Sequence, residues 1–132
     1  MKYALIFILT LATNIVKADT IDFWHVYYND VQIKEFQNNE LTLKIKDIKK
    51  TDSLTVMYFR DVHIIDCEAK VEIEDSFKFV IVKGVGIDRG TPLKISIFDL
   101  LVSARKSPFF AYYSDCLTEN REKILLFKIN FE

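Results

Sequence analysis

SLTVMYFRDVHIIDCEAKVEIED, Ser53 to Asp75, is the stretch whose reading decides the fold. In its first part Leu54, Val56 and Tyr58 alternate with Thr55, Met57 and Phe59. Neither face is properly polar, which is the pattern of a strand covered on both sides. In its last part Cys67, Ala69, Val71 and Ile73 fall on one face and Glu68, Lys70, Glu72 and Glu74 on the other. That alternation predicts a half-buried strand with Cys67 aimed inward and a solvated, charged outer face. Between the two lies a polar bend carrying Asp61, His63 and Asp66.

The same two-residue period extends in both directions. Towards the N-terminus, Phe23–Tyr28 (FWHVYY) and Val31–Phe36 (VQIKEF) flank Asn29-Asp30. Asn and Asp tolerate positive φ, so a tight hairpin is expected. Leu41, Leu43 and Ile45 then alternate with Thr42, Lys44 and Lys46, a third strand with a basic outer face. Towards the C-terminus, Phe77–Val82 (FKFVIV) reads as a sixth strand. All three glycines, Gly84, Gly86 and Gly90, follow with Pro92 in KGVGIDRGTP. Concentrated glycine marks backbone with unusual dihedrals or close approach, and a wide turn is predicted there. It is not a dinucleotide fingerprint, since Arg89 stands where the third glycine would fall.

Leu93, Ile95 and Ile97 resume strand spacing, after which Phe98, Leu101, Val102 and Arg105 lie at helical spacing. Ser96 with Asp99 resembles a capping box, so a short helix over about 98–106 is expected, ended by Ser107-Pro108. Phe109–Tyr113 and Ile124–Phe131 complete the set. Eight or nine strands with frequent turns and one short helix define an all-β, mainly antiparallel, immunoglobulin-like sandwich, with a small closed β-barrel as the alternative. The likeness is architectural, because Trp24 precedes both cysteines instead of lying between them.

Residues 1–18 carry Lys2, an apolar run from Tyr3 to Ala12, and Val16-Lys17-Ala18, the plan of a cleaved secretory signal peptide. Its apolar core is too short to span a bilayer, so no transmembrane anchor is expected after cleavage at Ala18. Residues 19–132 then form one domain with 16 basic and 19 acidic side chains, a net charge of −3. No basic run survives to favour nucleic acid. Export, secreted or periplasmic, places Cys67 and Cys116 in an oxidising compartment, where a disulfide is expected; free thiols and metal ligation are the alternatives.

Function is less legible. Asp61, His63, Asp66 and Cys67 have the ligand chemistry of a Zn or Cu site, but their spacing matches no metal motif, and a bridge would remove the thiolate. Only His25 and His63 are available as imidazole bases, and no nucleophile motif surrounds them. Glu72/Glu74 and Asp66/Glu68 resemble a hydrolase carboxylate pair only in being neighbours on strand faces. The reading is therefore a non-catalytic protein without cofactor: a binding or envelope-associated module for an unknown protein or glycan partner. A metal-binding envelope protein and a hydrolase acting on envelope polymers are its rivals. The candidate contact surfaces are the glycine-rich loop, with Gly84, Gly86, Asp88, Arg89 and Gly90, and the aromatic pairs Tyr27/Tyr28 and Tyr112/Tyr113. Strands apolar on both sides also accommodate a homo-oligomer, whose partner subunit would cover the outer face.

Overall fold

The computed structural model describes residues 23–33, 39–59, 67–87, 90–116 and 123–132. The expected signal segment, residues 1–18, lies outside them, as do Asp61, His63, Asp66, Asp88 and Arg89.

Nine strands and one short helix are present among the described residues: β1 Phe23–Tyr28, β2 Val31–Ile33, β3 Glu40–Leu43, β4 Ser53–Phe59, β5 Glu68–Glu74, β6 Val80–Ile87, β7 Leu93–Ser96, α1 Ile97–Val102, β8 Phe109–Asp115 and β9 Ile124–Phe131. They form two open sheets, β2-β1-β4-β7 and β3-β9-β8-β5-β6. The sandwich is therefore as expected and the closed barrel is not formed. Pairing is antiparallel throughout except between β3 and β9, which run parallel.

The inward positions of the opening stretch do what their period requires. Leu54, Val56 and Tyr58 from β4 face Val71 and Ile73 from β5 across the interior, all of them buried. At its centre the rings of Tyr58 and Tyr113 stack across the two sheets, 3.9 Å between centroids and 14° between planes. Such a pair adds about 0.5–1.5 kcal/mol beyond its burial. The Tyr113 hydroxyl donates to Asp115 Oδ2 at 2.8 Å, so the stack carries no unmet phenol there.

Cys67 and Cys116 are bonded, with Cα atoms 5.7 Å apart. Cys67 directly precedes β5 and Cys116 directly follows β8, so the bridge staples neighbouring strands of one sheet. An immunoglobulin domain instead joins its two sheets.

Several boundaries differ from the sequence expectation for local reasons. The sixth strand begins at Val80, not Phe77, because Asp75 Oδ1 accepts the amides of Phe77 (2.9 Å) and Phe79 (3.0 Å). That side-chain cap curls 75–79 into a turn with Lys78 at φ 66°. The helix starts as predicted, with Ser96 Oγ accepting the Asp99 amide at 3.2 Å, but ends at Val102. Ala104 at φ 59° turns the chain away before Ser107-Pro108 is reached. The third strand stops at Leu43, and a 3-10 turn, Ile45–Asp47, takes up the lysine-rich end.

Gly84 and Gly86 are a further correction, since they lie within β6 and not in a turn. Their smallness serves close approach: a Cβ on Gly84 would fall 2.6 Å from the Lys94 carbonyl oxygen of β7. Here the two sheets meet backbone against backbone, and only glycine fits. Gly90, at φ +76°, is the one glycine placed in a turn that demands its dihedral.

Candidate functional site

β1 alternates cleanly. Trp24, Val26 and Tyr28 point to the interior, where Trp24 stacks on Tyr58 with centroids 6.4 Å apart. Phe23, His25 and Tyr27 therefore point outward. On the adjacent β4 the outward residues are Thr55, Met57 and Phe59, and the register sets Phe23 opposite Phe59, His25 opposite Met57 and Tyr27 opposite Thr55. The outer face of the four-stranded sheet is thus an aromatic strip, with Phe23 47% exposed and its neighbours half-buried.

The geometry of the rings determines what this strip can offer. Phe23 and Phe59 stack with centroids 4.8 Å apart and 19° between planes. That distance is the spacing between adjacent strands, so the two rings stand side by side on the sheet and cover one another's faces. His25 closes the group, 5.6 Å from Phe23 and 5.7 Å from Phe59, the latter edge-on. Tyr27 continues the row 6.5 Å beyond His25. The stacked Phe23 and Phe59 rings turn a face to each other, and His25 and Tyr27 extend the row at an angle to them, a ridge for apolar packing. It is not the flat platform of free ring faces on which a sugar stacks.

The glycine-rich segment reaches the same place. Gly90 N donates to the Tyr58 carbonyl at 3.0 Å, and a Cβ on Gly90 would lie 3.1 Å from Phe59 Cε1. The turn is seated against Phe59 at one end of the strip. Asp88 and Arg89, which precede it in the chain, are outside the described residues.

The other candidate residues separate. Tyr28 points inward, and its hydroxyl donates to Asp52 Oδ2 at 2.5 Å. Burial and this hydrogen bond to a carboxylate push the phenol up to about 12. Asp52 in turn is held below the ordinary carboxylate value by the Lys49 amide (2.9 Å) and by Tyr28, with Asn29 Nδ2 adding a third donor at 3.2 Å. Tyr28 is a corner brace. Tyr113 is buried in the cross-sheet stack and contributes no accessible surface. Tyr112 lies on the outer face of the five-stranded sheet, opposite Glu72 and with Lys123 Nζ 5.4 Å from its ring centroid.

On that outer face Glu68 is solvated as the alternation predicts, but Glu72 and Glu74 are not. Glu72 and Glu74 are only 9% and 5% exposed. Glu72 pairs with Lys70 at 2.9 Å and Lys123 at 3.9 Å; Glu74 pairs with Lys123. Burial pulls the Lys123 ammonium down, but Glu74 and Glu72 outweigh it and raise its pKa. These carboxylates are engaged in ion pairs with Lys70 of the same strand and with Lys123, which precedes β9.

The metal alternative loses a ligand, because the Cys67 thiolate is consumed in the disulfide. Among the described residues no group of three His, Cys, Asp or Glu side chains is placed to hold an ion. His25 has aromatic ring neighbours, which is a packing environment and not an acid–base relay. Also among the described residues, no helix is long and apolar enough to cross a membrane.

Sequence reasoning missed Phe59 and Met57 as surface residues. The signal was present: β4 shows no polar face, and a strand apolar on both sides is either covered twice or exposes one apolar side. Comparison with protein-family models, with curated proteins and with solved structures finds no match to this chain.

Proposed function

We propose that the protein is a small exported, non-catalytic β-sandwich that binds another protein through the outer face of its four-stranded sheet. The observation that carries this reading is the ridge of Phe23, His25, Tyr27 and Phe59 on a face that the protein's own core does not use. The interior already has its aromatic packing in Trp24, Tyr58, Tyr113 and Phe127. Aromatic side chains grouped on an accessible face are characteristic of the anchoring centre of protein interfaces. The stacked Phe23 and Phe59 rings favour a protein partner over a glycan, since their faces are turned to each other. Export rests on the leader-like residues 1–18, and the disulfide accords with an oxidising compartment.

The test combines two measurements. N-terminal sequencing of the protein recovered from the host should begin at Asp19; a retained Met1 would remove export. Photo-cross-linking from position 23, compared with the same probe at exposed Lys46, which lies on neither the ridge nor β6, should yield a defined protein adduct from position 23 alone. Phe59→Ala should reduce that adduct while costing about 1–2 kcal/mol of stability. Adducts of equal yield from both positions, or a glycan array signal abolished by Phe59→Ala, would overturn the protein-partner reading.

A further inference from the structure

Among the described residues β6 ends the five-stranded sheet, and seven of its eight residues are laddered to β5, on one side only. The next strand in the chain, β7, belongs to the other sheet. It passes against the inward side of β6, where a Cβ on Gly84 would meet Lys94 backbone and one on Gly86 would lie 2.8 Å from Thr91 Cγ2. β7 therefore covers the inward surface of β6 without continuing its ladder.

Its outward positions include the exposed Val85 and Ile87 beside Lys83, and the turn that leads into it carries the exposed Phe77 and Phe79. Among the described residues, five of the ten exposed large hydrophobic side chains fall between positions 77 and 87: Phe77, Phe79, Val80, Val85 and Ile87. Phe77 is 79% exposed and Ile87 66%. The remaining sheet edges are short, three residues for β2 and four each for β3 and β7. Edge strands are ordinarily kept from pairing by shortness, proline or charge. Along its length β6 has only one charged side chain, Lys83, and no proline.

We infer that β6 is a self-association edge: a second copy of this chain adds its own β6 antiparallel to the first. The two five-stranded sheets become one continuous ten-stranded sheet. The occupant is a second copy because the strand is complementary to itself. A two-fold axis through Gly84 sets Lys83 of each copy opposite Val85 of the other, and Val82 opposite Gly86. No like charges stand directly opposite; the two Lys83 side chains lie on one diagonal of the outward face and the two Val85 side chains on the other. This pairing uses a different part of the molecule from the aromatic ridge and stands or falls independently of it.

Sedimentation equilibrium of the purified protein tests the inference. The wild type should show a monomer–dimer equilibrium, and Val85→Lys/Ile87→Lys should weaken association by about tenfold or more, since the two-fold axis repeats each substitution. Phe23→Ala should leave it unchanged. Amide exchange on the wild type supplies a readout that needs no variant: protection over 80–87 should rise with protein concentration while β2 and β3 stay constant. A monomer at every attainable concentration, dimerisation that the double substitution leaves intact, or protection in 80–87 independent of concentration would each overturn it.

Discussion

The two outward faces of this sandwich arise from the same two-residue period and end in opposite states. On β5 the outward positions are Glu68, Lys70, Glu72 and Glu74. Lys70, Glu72 and Glu74 pair with Lys123 or with one another, and Glu72 and Glu74 are buried, while Glu68 at the strand's start stays exposed. On β1 and β4 the outward positions are Phe23, His25, Tyr27, Thr55, Met57 and Phe59. The rings among them contact each other but keep apolar surface open to solvent. A charged face can complete itself from within one chain by pairing. An aromatic face of this size can be completed only by something laid on top of it, because apolar area leaves water only when it is covered.

The difference can be broken most forcefully from below the charged face. Cys67 and Cys116 close a span of 49 residues beside the ends of β5 and β8. Restricting the unfolded chain over that distance is worth about 4 kcal/mol in the loop-entropy account. Cys67→Ala/Cys116→Ala should therefore lower the urea-derived unfolding free energy by about 3–4 kcal/mol, while the fraction that remains folded still cross-links from position 23. A loss below about 1 kcal/mol would mean the bridge only decorates strands already held by the core. A smaller effect is expected within the face itself. Glu74→Gln replaces a buried carboxylate whose partner, the Lys123 ammonium, is itself exposed, and should cost about 1 kcal/mol. Equal stability of the variant and wild type in a chemical denaturation series would show the charged face to be no more self-completing than the aromatic one.

The period of two was readable wherever inward and outward residues differed in kind. It located β1, β4, β5, β8 and β9 and aimed Cys67 inward beside Ala69 and Val71. It was less informative where tertiary partners set the outcome. Nothing in EAKVEIE itself says that Lys123, 49 residues beyond Glu74, will fold over the acids and bury them. The strand nature of Gly84 and Gly86 was hidden for the same reason, since the requirement comes from the Lys94 backbone of a different sheet. Asp75 moved the start of β6 by capping two amides, a local contact that the apolar run FKFVIV masks. For the candidate site, the sequence pointed to aromatic pairs, but pairs of adjacent aromatics necessarily divide between two faces. Tyr27 reached the ridge and Tyr28 the corner, and Phe23 and Phe59 became neighbours only through the β1–β4 register.

That corner yields the smallest expected effect and separates the two faces by pH. Asp52, in the loop that leads from the five-stranded sheet into β4, gathers Tyr28, Asn29 and the Lys49 amide, while its own carbonyl accepts the Ile97 amide at 3.2 Å. Its carboxyl is depressed from the ordinary 3.8, so the stability it contributes is present above that value and is lost as pH falls through the folded-state pKa. Tyr28 is raised from 10.0 to about 12, so its contribution is present below pH 10 and is lost as pH rises towards 12. In Tyr28→Phe the alkaline loss belonging to this phenol disappears. The acid loss becomes shallower, because Asp52 keeps its amide donor but has lost a hydroxyl. Unfolding free energies measured across both windows should therefore differ between wild type and variant at the two extremes and be offset by a constant between them. An alkaline limb identical in the two proteins would mean that the Tyr28 hydroxyl is not held by Asp52, and that the joint between the aromatic sheet and the rest of the molecule depends on packing alone.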